Sequence, residues 1–150
     1  MSGLSNFWKS LMGPRPAFVQ VGALCLRGDK GHREVLLVSS LRTGRWIIPK
    51  GWPMKDKSLA QSAEQEAWEE AGVQGQIERQ PMGKYTYLKD RGKRLGVFCE
   101  VHIFEIKDVT LSNDFPEAGR RELRWVPLIE AAELVNEPEL QEILKSLYAT

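Results

Sequence analysis

With 150 residues, the chain has the length of one domain, enough to bury a core without disulfides or structural zinc. Hydrophobic residues make up 42% and charged residues 27%, the balance of an ordinary soluble protein. The formal net charge of +1 excludes an overall electrostatic pull toward nucleic acid or membrane.

No stretch approaches the roughly 20 apolar residues of a membrane span, and the first residues lack the apolar core of a signal peptide. Cys25 and Cys99 sit in apolar runs without metal-ligand spacing. They read as buried small hydrophobes in a reducing, cytoplasmic setting.

Residues 1–16 form a leader. Leu4, Phe7, Trp8, Leu11 and Met12 follow helical spacing, and Gly13-Pro14 stops the pattern. A short amphipathic helix docked on its own domain is expected, with a dimer contact or a dangling tail as alternatives. Residues 17–150 then form a single domain. Apolar and β-branched runs at 18–26 and 34–40, joined by RGDKGHR, predict a hairpin. Arg42-Thr43-Gly44-Arg45 is a polar turn, Trp46-Ile47-Ile48 a short strand ending at Pro49, and 50–57 a Gly/Pro loop.

A helix follows. Ser58 with Gln61 three residues later is a capping-box start, and Gly72 is placed to end the helix. Ala60, Ala63, Ala67 and Ala71 make a stripe of small side chains suited to close packing on a sheet. Strands are predicted over 77–79, 84–88 and 95–106, with the basic turn Lys89-Asp90-Arg91-Gly92-Lys93-Arg94 between the last two. A loop around 113–119 leads to a strand near 123–126. Pro127 opens a short helix to about 134, and Pro138 a final one with Leu140, Ile143, Leu144 and Leu147 on one face. Strands before, around and after helices predict an α+β layered fold with a mixed sheet.

Glu66, Glu69 and Glu70 of the first of these helices share one face, within an arc of roughly 100°. Like charges at i,i+4 weaken a helix by a few tenths of a kcal/mol, and no Lys or Arg occurs from Ser58 to Glu78 to offset them. An uncompensated acidic cluster suggests a metal ion as its partner. Hard cations such as Mg²⁺ bind through a few carboxylates plus substrate phosphates.

The stretch 51–73, GWPMKDKSLAQSAEQEAWEEAGV, resembles the Nudix box, G-x5-E-x7-R-E-U-x-E-E-x-G-U with U aliphatic. Gly51, Glu66, Ala67, Glu69, Glu70, Gly72 and Val73 stand at the required spacings. EVLLVSSLRTGRWIIPKG before the box and RRELRWV after it look like the flanks of the diphosphoinositol-polyphosphate and dinucleoside-polyphosphate branch. The likeness covers nearly all of the chain after the leader. Two positions depart: Lys57 stands where the family has Glu, and Gln65 where it has Arg. Both members of a possible ion pair are changed, so neither faces an absent partner.

The resemblance implies a Nudix-type α/β/α sandwich with a central mixed sheet and the Nudix loop–helix. It implies metal-dependent hydrolysis, with Mg²⁺ or Mn²⁺, of a phosphoanhydride in a nucleoside diphosphate linked to another group or in a polyphosphate. Dinucleoside polyphosphates or diphosphoinositol polyphosphates compete with simple nucleotides, sugar nucleotides and NADH. Glu66, Glu69 and Glu70 are then metal ligands, and Glu66 or Glu70 doubles as the catalytic water activator. The backbone carbonyl of Lys50 or Gly51 adds an oxygen, and Glu117, ahead of Glu122, is the candidate for an extra acid.

Cations available for phosphate are Lys50, Arg42 and Arg45 around the box, and Arg91 with Lys89, Lys93 and Arg94 in the basic turn. Trp52, Tyr85, Tyr87 and Phe115 either stack on a nucleobase or belong to the core. His32 and His102 have no catalytic partner in view and read as structural. The expected partner is a small-molecule phosphoanhydride, with no nucleic acid and no membrane, for a monomer or homodimer. Four cations in one hairpin tip are too small a patch for nucleic acid. The alternative reading, resting on Lys57 and Gln65, is a catalytically weak or silent Nudix domain that binds a nucleotide or a protein partner.

Overall fold

Burial on both faces is what the apolar runs of the first two strands require, and the computed structural model, which describes residues 18–91 and 94–150, provides it. The leader 1–16 lies outside the described residues, as do 92–93 and the side chains of Asp90, Arg91 and Arg94. Strands β1 (Phe18–Arg27) and β2 (Glu34–Ser39) form the expected antiparallel hairpin, in register at Leu26 with Val35 and Arg27 with Glu34. Their residues alternate between two cores. Leu24, Leu26, Val35 and Leu37 enter one, while Ala23, Cys25, Leu36 and Val38 enter the other.

β3 (Trp46–Ile47) extends from β2, and β4 (Lys50–Gly51) pairs antiparallel with the middle of β1, Gly51 opposite Val21 and Lys50 opposite Gly22. The sequence suggests a loop from residue 50. Two residues of ladder instead pin Gly51 to the sheet. Helix α1 (Leu59–Ala71) has both arms of the Ser58–Gln61 capping box and ends at Gly72 in the left-handed conformation, φ 71°. All four alanines of its stripe are buried, against Val21, Ala23, Cys25, Phe104 and Ile106 of the sheet.

β5 (Val73–Ile77) begins directly after Gly72, earlier than the strand expected over 77–79. Only Val73 of its VQGQI is buried, so an edge strand with mostly polar residues carries little sequence signal. β6 (Gly83–Arg91) and β7 (Arg94–Leu111) form a second hairpin. β7 runs past the expected end at 106. One edge pairs parallel with β1, from Phe18 with Cys99 to Cys25 with Ile106; the other takes β6 and then β5, both antiparallel. β8 (Leu123–Pro127) pairs with β2, and α2 (Leu128–Leu134) and α3 (Pro138–Ala149) follow their prolines.

The result is a mixed sheet of eight strands among the described residues. α1 covers one face; α2 and α3 cover the other through Leu128, Leu140 and Leu144. This is the expected α/β/α sandwich. No helix among the described residues is long and apolar enough to cross a membrane.

Candidate active site

The β4–α1 junction places the acids. A Cβ on Gly51 would fall on the Glu66 carboxylate, so glycine leaves the carboxylate its place beside the strand. The loop between them is tied down by Ser62, whose buried hydroxyl accepts the Met54 N–H at 2.9 Å. This bond and the capping box hold the loop on the helix although Lys57 and Gln65 replace the family's Glu and Arg. Lys57 is exposed, and Gln65 Nε2 donates to Glu69 Oε2 at 2.7 Å, so the substituted residue still orients a box carboxylate.

Glu70 is 5% exposed. Its Oε1 lies 3.4 Å from the Lys50 backbone N–H, and its Oε2 lies 3.7 Å from Arg121 Nη2. Burial raises the Glu70 pKa to about 8, against the lowering effect of Arg121 and with Glu66 adding to the rise. Burial, reinforced by Glu69, likewise raises Glu66 to about 7. Two packed carboxylates that resist ionisation, chiefly through burial, are typical of a functional site.

Glu117 arrives from the loop before β8. Its N–H donates to the Glu69 carbonyl at 3.0 Å, and Ser112 N–H donates to the Gly72 carbonyl at 2.9 Å, which hooks that loop onto the end of α1. Glu117 Oε1 is buried without a hydrogen-bond partner.

A cleft of about 510 Å³ opens over these groups, lined by Glu66, Glu70, Gly51, Trp52 and Gln20 and by four cations, Arg42, Lys50, Lys89 and Arg121. Lys50 Nζ donates to the Tyr87 hydroxyl at 3.0 Å, and that hydroxyl donates to Gln20 Oε1 at 2.6 Å. Burial, with Lys89 nearby, lowers the Lys50 pKa to about 8. Acids and cations lining one cleft suit a phosphate chain bridged by a divalent ion. The donor set is all oxygen, Glu117 Oε1 lacks a partner, and the Gly51 backbone is open to the Glu66 carboxylate. These features fit a hard cation. Among the described residues no three acids are gathered tightly enough to form a ready-made metal cluster; the Arg121 guanidinium stands between Glu70 and Glu117.

Of the residues singled out from sequence, Gly51, Glu66, Glu70, Lys50 and Arg42 meet at the cleft. Glu69 lies beside it, held by Gln65, and Glu117 reaches it through Arg121. Arg45 turns away and pairs with Glu137 at 2.6 Å. The Arg91 side chain is outside the described residues, and Glu122 is exposed. Tyr85 belongs to the core, whereas Trp52 is 45% exposed at the cleft edge, edge-on to Phe18. His32 is exposed in its turn, and His102 bonds Glu100 at 2.8 Å.

Sequence reasoning missed Arg121 and Gln20. Nothing local separates Arg121 from the exposed Arg120 beside it, although its i+4 spacing from Glu117 is a weak pointer.

Comparison with known proteins agrees with this fold. Over 117 residues the chain is 35% identical to Nudix hydrolase 21, chloroplastic, of Arabidopsis thaliana, covering 77% of this chain and 57% of the relative. Over 80 residues it is 39% identical to diphosphoinositol polyphosphate phosphohydrolase 3-alpha of Mus musculus, covering 53% and 48%. The chain thus spans about half the length of the curated relatives it matches. The crystal structure of a C. elegans Ap4A hydrolase shares the fold, with a TM-score of 0.61, 21% identity, and coverage of 88% of this chain and 96% of that one. The family model for the NUDIX domain matches residues 16–148, and the chain belongs to the NUDIX domain family.

Proposed function

We propose that this chain is a divalent-cation-dependent pyrophosphohydrolase. Its substrate is a nucleoside diphosphate linked to another group, or a polyphosphate such as a dinucleoside polyphosphate or a diphosphoinositol polyphosphate. The observation that carries this reading is the Glu66–Glu70 pair against Gly51, Glu70 buried and Glu66 partly so, in one cleft with four cations. Glu66, Glu69, Glu70 and Glu117, with the Gly51 carbonyl, would hold Mg²⁺ or Mn²⁺. When bound, such an ion supplies Lewis acidity toward phosphate oxygens and water.

The chain's own residues do the rest. Glu70 or Glu66 takes a proton from the attacking water as general base. The water oxygen bonds to phosphorus as the anhydride P–O bond breaks, and the departing phosphate leaves with the electron pair. Lys50, Arg42 and Lys89 hold the phosphate oxygens and offset their charge. Trp52 at the cleft edge offers an exposed ring to a nucleobase.

The test is a panel of phosphoanhydrides, including diadenosine and inositol polyphosphates, incubated with each metal while released phosphate and pyrophosphate are measured. Metal-dependent turnover that disappears in Glu66→Gln and Glu70→Gln, but persists in the exposed control Glu142→Gln, is expected. Absence of turnover with every metal, alongside measurable nucleotide binding, would establish the silent binding domain that Lys57 and Gln65 suggest.

A further inference from the structure

Arg121 lines the cleft and also pairs with two of the site's carboxylates. Its side chain is only 10% exposed, with Nη2 3.7 Å from Glu70 Oε2 and Nε 3.5 Å from Glu117 Oε1. Nη1 donates to the Ser39 carbonyl at 3.2 Å. Ser39 itself is stitched to the same loop, its N–H donating to the Glu122 carbonyl at 3.0 Å and its hydroxyl accepting the Glu122 N–H at 2.8 Å. The guanidinium is therefore anchored at one corner.

One guanidinium faces two carboxylates at this point, with Arg120 Nη1 4.0 Å from Glu117 Oε1, and the hydrogen bonding is incomplete. Arg121 Nε and Glu117 Oε1 are both buried, and neither has a hydrogen-bond partner, although they face each other across 3.5 Å. A strong arginine–carboxylate pair is a two-pronged fork at about 2.7–2.9 Å; this one is longer and misaligned. Buried polar atoms are nearly always satisfied, so a donor and an acceptor left side by side call for two different partners. The acceptor suits a cation, and the donor suits an anion. A divalent ion and a phosphate oxygen would satisfy both.

We propose that Arg121 is an exchangeable counter-ion and a substrate-phosphate ligand. Without a divalent cation it is the positive charge that Glu70 and Glu117 face; once a cation binds there, its Nε turns to a phosphate oxygen of the substrate. The inference rests on the metal-dependent reading above. The Ser39 anchor keeps the guanidinium on the cleft wall, so only its terminal torsions have to change. Metal and Arg121 then compete for the same carboxylates, while Arg121 and substrate cooperate. A residue that merely held the loop in place would help both ligands bind.

The opposite signs supply the test. Arg121→Gln keeps a donor for the Ser39 carbonyl while removing the charge. Binding of Mn²⁺ alone is measured by calorimetry on chelator-stripped protein, and binding of imidodiphosphate, a non-hydrolysable pyrophosphate, at saturating Mn²⁺. Mn²⁺ is expected to bind the variant about 3- to 10-fold tighter, and imidodiphosphate at least roughly 10-fold weaker.

A second measurement uses wild-type protein and does not depend on the variant folding. Arginine modification by phenylglyoxal, mapped by mass spectrometry, should rise at Arg121 when Mn²⁺ is added and fall again with imidodiphosphate. Mn²⁺ affinity that is unchanged or lower in Arg121→Gln, or labelling that ignores Mn²⁺, overturns the counter-ion role while leaving the metal-dependent reading intact. Failure of wild-type protein to bind Mn²⁺ at all overturns both.

Discussion

Replacing Glu70 by Gln should make the metal-free protein more stable at pH 8 while abolishing its activity. Glu70 is buried, and its pKa is raised from 4.5 to about 8, with burial as the main cause. A folded-state pKa raised above the unfolded value confers stability below pH 4.5 that is lost as pH rises through 8. Every tenfold change in proton affinity between the folded and unfolded chain is worth about 1.4 kcal/mol, so the carboxylate costs at most roughly 4 kcal/mol at pH 8. The amide retains an acceptor for the Lys50 N–H but gives Arg121 a neutral partner, a loss of about 1–3 kcal/mol. The net gain is about 1–3 kcal/mol, or a rise of roughly 3–9 °C in Tm for a chain of this size. Thermal denaturation with chelator at pH 5 and pH 8 reads this directly. At pH 5 the advantage should nearly vanish, because wild-type Glu70 is then protonated. A variant no more stable than wild type at pH 8, or one with the same advantage at both values, would refute the reasoning. A gain of this kind would mean that the site trades stability for function.

Other consequences follow from the same geometry. Mg²⁺ should raise the Tm of wild type more at pH 8 than at pH 5.5, since at the lower pH it must displace protons from Glu66 and Glu70; an equal shift at both would contradict the assignment of these acids as ligands. Gly51→Ala drives a methyl group into the Glu66 carboxylate and should abolish turnover with the fold retained by circular dichroism. Ser62→Ala removes the acceptor for the Met54 N–H and should lower stability by about 1–2 kcal/mol in urea denaturation, with a higher KM as the loop loosens. KM for a diphosphate substrate should climb above pH 8, where Lys50 loses its charge, and Lys50→Met should flatten that limb of the profile.

Much of the candidate site was legible because its determinants are local in the chain. Glu66, Glu69 and Glu70 share a face through helical spacing alone, Ser58 and Gln61 cap within one turn, and Gly72 ends the helix with a backbone conformation that favours glycine. The strand runs of β1 and β2 were legible for a related reason. A strand covered on both faces must be apolar along its covered stretch, as 21–26 and 35–38 are. Polar β5 was misplaced because an exposed edge strand is held by the ladder to β7 rather than by its own side chains. The ends of β4 and β7 likewise depend on where a neighbouring strand happens to lie.

Composition, the spacing of the acids, the caps and the alanine stripe by themselves determined that a helix would carry three carboxylates beside a glycine turn in a layered α+β domain. Only the tertiary structure decided which cations serve that turn. Arg45 is spent on Glu137, 92 residues away, and Arg121 rather than Arg120 enters the cleft. Spacing along a helix is set by backbone geometry within a few residues. The partner of a charged side chain is set by whichever distant element folds against it, and no short stretch of sequence encodes that.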